Sequence, residues 1–321
     1  MKTAIIVATF NRPEMVKRLL ASLPASQIAP DVELFIVENG PKTGVESVCR
    51  TSSLGGPIHY LYCAVANKSA ALNHAIRQVE ADFIVFFDDD ILVSPGTVAT
   101  YIEAAHRYGS GHFFGGPFDV DTEVSCPEHL IPYLPLSDKN YSFADAEKII
   151  SPDEFLLFVR SNWAAFRSDL LQVGLFREDI GFTASRLSPD GEETDIQRAL
   201  VLSSVLPVNL PQAHVRHFVG RNCYTSRRVR NRQFRHALAD CIFSMERGKG
   251  RIAEFPKWAI RELAANYLLL LWSYLAGKSI AERTQRQMRI SYLHGWLYGA
   301  IQNWPRARQM RVAAVQESNP L

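Results

Sequence analysis

Short, nearly unbroken apolar runs recur along the first ninety residues, at 4–8, 33–37, 58–62 and 83–87. Between them apolar positions return at helical spacing, as in Met15, Val16, Leu19 and Leu20, and again in Ala71, Leu72, Ala75 and Ile76. Strand and helix patterns that alternate in this way predict an α/β domain on a parallel sheet. Strands apolar at nearly every position belong to a sheet covered on both faces. Local signals agree. Ser94-Pro95 reads as an N-cap with proline at the first helical position, and Ser168 as the start of a short helix stopped by Gly174. Residues 119–153, with Pro127, Pro132, Pro135 and Pro152, read as a long irregular surface excursion of the kind that covers or selects ligands. Beyond residue 220 the pattern is helical. A helix is expected over 227–245, with Val229, Phe234, Leu238, Cys241 and Ile242 inward, and two more over 257–276 and 281–303.

The fourth apolar run leads directly into Asp88, Asp89 and Asp90. Three like charges at a strand end repel one another and are tolerable only where water or a cation compensates them. A hard divalent cation fits: Mg²⁺ takes oxygen ligands at about 2.1 Å and shares them between one or two carboxylates and a substrate's phosphates. In doubly wound sheets ligands sit beyond the carboxyl ends of the strands. Here those ends carry Thr9, Phe10, Asn11 and Arg12, then Glu38 and Asn39, then Asn67 and Lys68, then the three aspartates. The glycine fingerprint of dinucleotide binding is missing after the first strand and no phosphate-loop lysine motif occurs, which argues against a nicotinamide or flavin enzyme and against a P-loop NTPase.

Composition changes the picture in three places. With 321 residues and 47% hydrophobic content the chain can bury a sizeable core, and one catalytic domain with a C-terminal extension is expected. The net charge is only +2, yet residues 216–251 hold ten Arg or Lys against Asp240 and Glu246. No nucleic-acid signature accompanies this block, so nucleic acid ranks last among its partners. A segment from Arg221 to Arg235 is a candidate lid over a phosphorylated ligand, and an amphipathic helix with arginines outward is the plainer reading. Five scattered cysteines form no Cys-x-x-Cys pair, and residues 4–8 are too short for a signal-peptide core, so a cytoplasmic protein with reduced thiols is expected. The stretch 258–276 includes Arg261, Glu262 and Asn266, unlike a membrane span. Trp258, Trp272, Trp296 and Trp304 beside arginines suit either packing on a core or peripheral contact with the inner face of a membrane.

Six segments, taken in order, resemble the family 2 glycosyltransferases, whose fold is called GT-A. They are Ile5 through Pro13, Val37-Glu38-Asn39-Gly40, Asn67 through Asn73, Asp88 with Asp90, Gly191 through Ile196, and Ala213 through His217. Three departures are plain: Glu38 stands for the usual aspartate, Ser69 for glycine, and Glu193 for the catalytic aspartate. The resemblance covers about residues 3–220. It implies a mostly parallel Rossmann-like sheet with helices on both faces, a nucleotide-sugar half over 1–120, an acceptor half over 121–220, and a helical extension over 221–321.

Its functional implications are specific. The protein is expected to move a sugar from a nucleotide-diphosphate donor to a hydroxyl of a saccharide, lipid-linked saccharide or small molecule, with inversion and with Mn²⁺ or Mg²⁺. Asp90 is the expected direct metal ligand, Asp88 faces the ribose or a metal-bound water, and His217 completes the shell, since imidazole suits Mn²⁺. Glu193, or failing it Glu192, is the expected catalytic base; carboxylates at a helix N-terminus are also favoured by the macrodipole alone. Thr9, Phe10, Asn11, Arg12, Glu38, Asn39, Asn67, Lys68, Asn73, Asp88 and Asp89 are the expected nucleotide-sugar contacts, with Asp89 pointing away from Asp88 and Asp90 along the strand. Glu38 beside Thr9 and Phe10 would accept the imino hydrogen of a pyrimidine, favouring uridine or thymidine donors. The rival readings are a sugar nucleotidyltransferase, which normally has a Gly-rich, Arg-bearing loop after the first strand, and an inactive sugar-nucleotide-binding protein of the same fold.

Overall fold

Eight strands form the central sheet, in the order β3 (Ile58–Cys63), β2 (Val32–Asn39), β1 (Thr3–Thr9), β4 (Phe83–Asp88), β9 (Asn162–Phe166), β6 (His112–Gly115), β10 (Leu206–Asn209), β8 (Lys148–Ile149). The computed structural model from which this is taken describes residues 1–23, 31–52, 54, 56–134, 146–152, 158, 162–181, 183, 187–246 and 257–318, with backbone alone at 246 and from 304 onward. β3, β2, β1 and β4 run parallel, as do β6 and β10, while β9 lies antiparallel between β4 and β6 and β8 antiparallel at the edge. The sheet is therefore mixed, and the four strands legible in the sequence are its parallel half. Within residues 119–153 the expectation of an irregular excursion needs correction: β7 (Phe118–Thr122), a 3-10 turn over Glu128–Tyr133 and β8 occupy parts of it. Residues 135–145 lie outside the described residues.

Alternation along the strands divides two cores. Ile5 and Val7 of β1 and Phe83, Val85 and Phe87 of β4 pack with Val16, Leu19 and Leu20 of α1 (Pro13–Ser22) and with Val45 of α2 (Val45–Thr51). Ala4, Ile6 and Ala8, with Ile84 and Phe86, face the other way onto Ala71, Leu72, Ala75 and Ile76 of α3 (Lys68–Gln78) and onto Ile196 and Leu200 of α6 (Glu192–Leu202). On that side Phe86 stacks on Trp163 with ring centroids 4.5 Å apart. α4 (Thr97–Tyr108) begins later than Ser94-Pro95 implies, because Gly96 takes the left-handed N-cap position at φ 85° and the Ser94 hydroxyl bonds His214 instead. α5 (Arg167–Gln172) follows β9, and Gly174 lies just past its end at φ 90°.

A second sheet carries the site's late residue. β5 (Ile91–Val93), which follows Asp90, pairs antiparallel with β11 (Val215–Val219), and β11 pairs parallel with β7. The register sets His217 opposite Ile91, and the Phe218 amide donates to the Asp90 carbonyl at 2.7 Å.

The chain divides into two units, the first Met1–Glu123, Leu136–Ala184 and Glu192–Val219, the second Val124–Pro135, Ser185–Gly191 and Gly220–Leu321. Residues 124–135 and 185–191 thus belong with the C-terminal helices rather than with the first 220 residues. The second unit is built on α7 (Ser226–Glu246), α8 (Lys257–Leu275) and α9 (Ile280–Ser318). Ala237 and Cys241 of α7 pack with Trp296 and Ala300 of α9, and Val229 packs with Leu130 and Met288. Phe243 is buried where Ile242 was expected to be, and Arg221–Arg235 is a 3-10 turn followed by the first turns of α7, in keeping with the helical alternative for this stretch. All five cysteines are unpaired, and among the described residues no helix is long and apolar enough to cross a membrane.

Gly116, in the turn between β6 and β7, approaches the chain that leads into β11. A Cβ there would lie 1.9 Å from the Ala213 carbonyl oxygen, a backbone atom that can yield only by moving β11. Gly116→Ala is expected to lower stability by roughly 1–3 kcal/mol, the usual cost of overpacking, read as a fall in the urea midpoint at unchanged m. A midpoint equal to that of the unaltered protein would show that this approach has room to relax.

Candidate functional site

The three aspartates diverge because a strand ends among them. Asp88 continues the side of β4 that carries Ile84 and Phe86, which is the side of α3 and α6, and there it meets Lys68, whose Nζ lies 2.8 Å from its Oδ1. Lys68 opens α3, where the Asn67 side chain caps the helix by accepting from the Ala70 amide. The same ammonium lies 2.5 Å from Glu193 Oε1 and 3.3 Å from Glu192 Oε1, the first residues of α6. One lysine thus joins the end of β4 to the start of α6, whose first turn also carries Asp195.

Asp89 turns the other way. It accepts from the Thr9 hydroxyl at 2.6 Å and from Arg12 at 3.0 Å, tying the end of β4 to the end of β1. Burial pushes the Asp89 carboxyl up to about 6 in spite of Arg12, while the two carboxylates hold the Arg12 guanidinium above its ordinary range. Arg12 also donates to Asp90 Oδ2 at 2.9 Å.

Asp90 presents its other oxygen to His217, with Oδ1 3.4 Å from Nε2. That oxygen is buried and accepts no hydrogen bond. Burial alone would raise the Asp90 carboxyl, but His217, Arg12 and Lys68 together hold it well below the usual carboxylate range. A buried carboxylate oxygen that accepts no hydrogen bond and has an imidazole nitrogen as its near neighbour suits a divalent cation. Among the described residues no three His, Cys, Asp or Glu side chains already converge as a closed metal cage. Asp88, expected in the shell, is instead turned to Lys68, and Asp90 and His217 stand together without it.

Around Lys68 charges compete. Burial would lower the lysine, but Asp88, Glu193 and Glu192 hold it well above its ordinary value. Glu192, despite its burial, is held below the ordinary carboxylate range by Lys68, whereas burial and the neighbouring Glu192 push Glu193 up to about 8.

Several expected ligand contacts have another place. Glu38 is fully buried and its carboxylate accepts from the Thr43 amide and hydroxyl and from the Tyr60 hydroxyl. It has no face left for a nucleobase in this conformation, and the preference for uridine or thymidine donors loses its support. Asn39 donates to the Thr9 carbonyl, Asn67 to the Glu178 carbonyl, and Asn73 to the Phe176 carbonyl and the Glu178 carboxylate. With Thr9 and Asp89 these side chains are buried, and their polar groups bind the frame together rather than lie open to a ligand. Phe10, Asn11 and Arg12 do lie at the surface, presented by the left-handed turn at Asn11 (φ 54°). Beside Phe10 stands a residue that the sequence reading missed: the Phe10 ring covers Gly40, and the hydroxyl of the half-exposed Tyr62 bonds the Gly40 carbonyl at 2.9 Å. An aromatic at the end of a parallel strand was the available signal. His214 is held apart from His217, between Ser94 and Asp119.

The arrangement of strand-end carboxylates, late histidine and acidic helix start defines a protein of the GT-A class. The structure is similar to that of the mannosyltransferase PcManGT from Pyrobaculum calidifontis in complex with GDP-Man and Mn²⁺, with TM-score 0.58 and 17% identity over 94% of this chain and 86% of that one. It is similar also to GalNAc-T7 with UDP, GalNAc and Mn²⁺, with TM-score 0.50 and 10% identity over 75% of this chain and 51% of that one. These likenesses are of fold. In sequence the chain is 26% identical over 106 residues to the uncharacterized glycosyltransferase YfnE of Bacillus subtilis (strain 168), a match that spans 32% of this chain and only 27% of that relative. Residues 4–171 match the model of glycosyl transferase family 2, and the chain belongs to that family.

Neighbouring aspartates should respond differently to the same change. The unaltered protein is expected to melt higher with Mn²⁺, and Asp90→Asn to leave the fold intact while abolishing that rise. Asp89→Asn should lower stability by roughly 1–3 kcal/mol, because it disturbs the buried acceptor of Thr9 and Arg12. Thermal melts with and without Mn²⁺ read both, and an Asp90→Asn protein still stabilised by Mn²⁺ would remove that residue from the metal shell.

Proposed function

We propose that the protein is a metal-dependent, inverting glycosyltransferase that moves a sugar from a nucleotide-diphosphate donor to an acceptor hydroxyl. The observation that carries this reading is the buried Asp90 Oδ1, which accepts no hydrogen bond and lies 3.4 Å from His217 Nε2, in a chain of family 2. The PcManGT and GalNAc-T7 structures, which contain Mn²⁺ with a nucleotide sugar or its parts, support it at the level of the fold. Asp90 and His217 would hold Mn²⁺, which this mixed oxygen and nitrogen pair suits better than Mg²⁺. The bound cation would neutralise charge on the departing diphosphate.

The chain's own residues supply the rest. Phe10 and Tyr62, both with exposed ring surface near Gly40, offer a stacking platform for a nucleobase. Arg12 remains partly open to solvent while bonded to Asp89 and Asp90, and so can also meet an anionic group of the donor. Glu193 is the base that takes the acceptor proton. Burial and Glu192 make it more basic than an ordinary carboxylate, and Lys68 fixes its position. Saccharides, lipid-linked saccharides and small hydroxylated molecules are the acceptor classes this chemistry serves.

Glu193→Gln keeps the shape of the side chain and removes its basicity. Its kcat should fall by roughly 10²-fold or more while the donor KM stays nearly unchanged, and the product of the unaltered protein should carry the inverted anomeric configuration. Steady-state kinetics and the anomeric proton coupling of the product test the two halves. A retained configuration would exclude single displacement. An active Glu193→Gln beside an inactive Glu192→Gln would move the role to Glu192, and a purified protein that neither transfers nor hydrolyses any nucleotide sugar with Mn²⁺ would make it a binding protein.

A further inference from the structure

Helix α8 is inverted. The side that packs within the second unit carries Ala259, Asn266 and Ser273 at seven-residue spacing, and besides the Trp258–Trp296 ring contact at 5.1 Å its links to α9 include polar ones. Arg289 donates to both Glu262 oxygens, at 2.6 and 2.8 Å, and Gln287 donates to Tyr274 at 3.1 Å. The large apolar side chains point out: Leu268 is 69% exposed, Leu271 59%, Trp272 54% and Leu275 78%. A helix folded for water has the opposite arrangement. We propose that the outer face of α8 lies on the surface of an anionic lipid bilayer.

Three features select this occupant over a second copy of the chain. The first is width. At 3.6 residues per turn, the exposed positions from Tyr267 to Leu275 leave covered only a stripe of Asn266 and Ser273 with the partly buried Leu270 beside it, so more than half of the circumference is apolar and open. A partner helix covers a seam, whereas lipid wraps every open side. The second is charge. No residue from Leu263 to Gly277 is charged, while Lys257, Arg261 and Glu262 precede this stretch and Lys278, Glu282 and Arg283 follow it, a surplus of cations on both flanks, with Glu262 already held by Arg289. Lys278 lies 5.1 Å from the ring of Trp272 and Arg283 5.0 Å from that of Tyr274, which is the pairing of cation and aromatic suited to a headgroup layer. The third is length. The uncharged stretch extends about 22 Å, short of the roughly 30 Å hydrocarbon core, so it suits a helix lying in the interface.

The test is co-sedimentation of the purified full chain with vesicles of phosphatidylcholine alone or mixed with phosphatidylglycerol, beside sedimentation velocity of the free protein. The protein should pellet with the anionic vesicles, with a blue-shifted tryptophan emission, and bind more weakly as salt rises. The double variant Leu268→Glu, Leu271→Glu should bind at least about tenfold more weakly while keeping its Mn²⁺-dependent turnover of donor in solution. Lys257→Glu with Arg261→Glu, which leaves the apolar face intact, should reduce binding to anionic vesicles. Failure to pellet with any vesicle, equal pelleting with phosphatidylcholine alone, or a dimer that the leucine variant splits without vesicle binding would each overturn the proposal.

Discussion

The structure of the first unit turns on uncompensated negative charge at one edge of its sheet. Asp88, Asp89 and Asp90 end β4, Glu192 and Glu193 begin α6, and two cations, Arg12 and Lys68, stand among them. Ionised carboxylates at such separations, away from bulk water, repel by far more than a typical hydrogen bond returns. The groups respond unequally: His217, Arg12 and Lys68 hold Asp90 low, burial and Glu192 push Glu193 up to about 8, and the carboxylates hold Lys68 high. This is the electrostatic condition under which a divalent cation and a diphosphate gain most from binding.

The strand geometry makes three roles from one tripeptide. A single run of aspartates could not serve a lysine, an arginine and a histidine from one direction. Because β4 alternates up to Asp88 and then turns, Asp88 faces α3, Asp89 faces β1 and Asp90 faces β11. Each partner lies on an element far away in sequence, so the carboxyl end of β4 is also where distant parts of the unit are fastened together. The site and the fold therefore share residues, and Thr9, Asn67 and Asn73, whose side chains bond only within the frame in this structure, still bear on the chemistry by fixing where Arg12 and Lys68 stand.

What the sequence makes legible follows from this. The four parallel strands are visible because strands buried on both faces must be apolar throughout, and the polar residues that end them stand out by contrast. β9 is hidden, because Asn162–Phe166 is short and its antiparallel place between β4 and β6 depends on partners remote in the chain. The side chains that would meet a ligand are only half legible. Residue type reveals that Glu38 is a carboxylate at a strand end, but not that Tyr60, on the neighbouring strand, and Thr43, a few residues on, already fill it. For the same reason the sequence shows Lys68 as a cation after a strand but not its three carboxylate partners, which come together only when α3 and α6 share a face of the sheet.

The basic block 216–251 shows the same limit from the other side. In sequence it reads as free positive charge. In the second unit Arg235 pairs with Asp190 at 2.8 Å and donates to the Ser188 carbonyl, and Arg232 donates to His236. Part of the block thus holds α7 to the segment that immediately precedes Glu192 in the chain, and those arginines answer a local need before any ligand arrives. α8 is the counterexample, since its chemistry is plain in sequence and only its orientation is not. A leucine-rich helix reads as core until the structure shows that asparagine and serine face inward and leucine outward. Periodicity identifies an amphipathic helix but is blind to which side meets the protein, and that choice separates a core helix from one that seeks an apolar surface elsewhere.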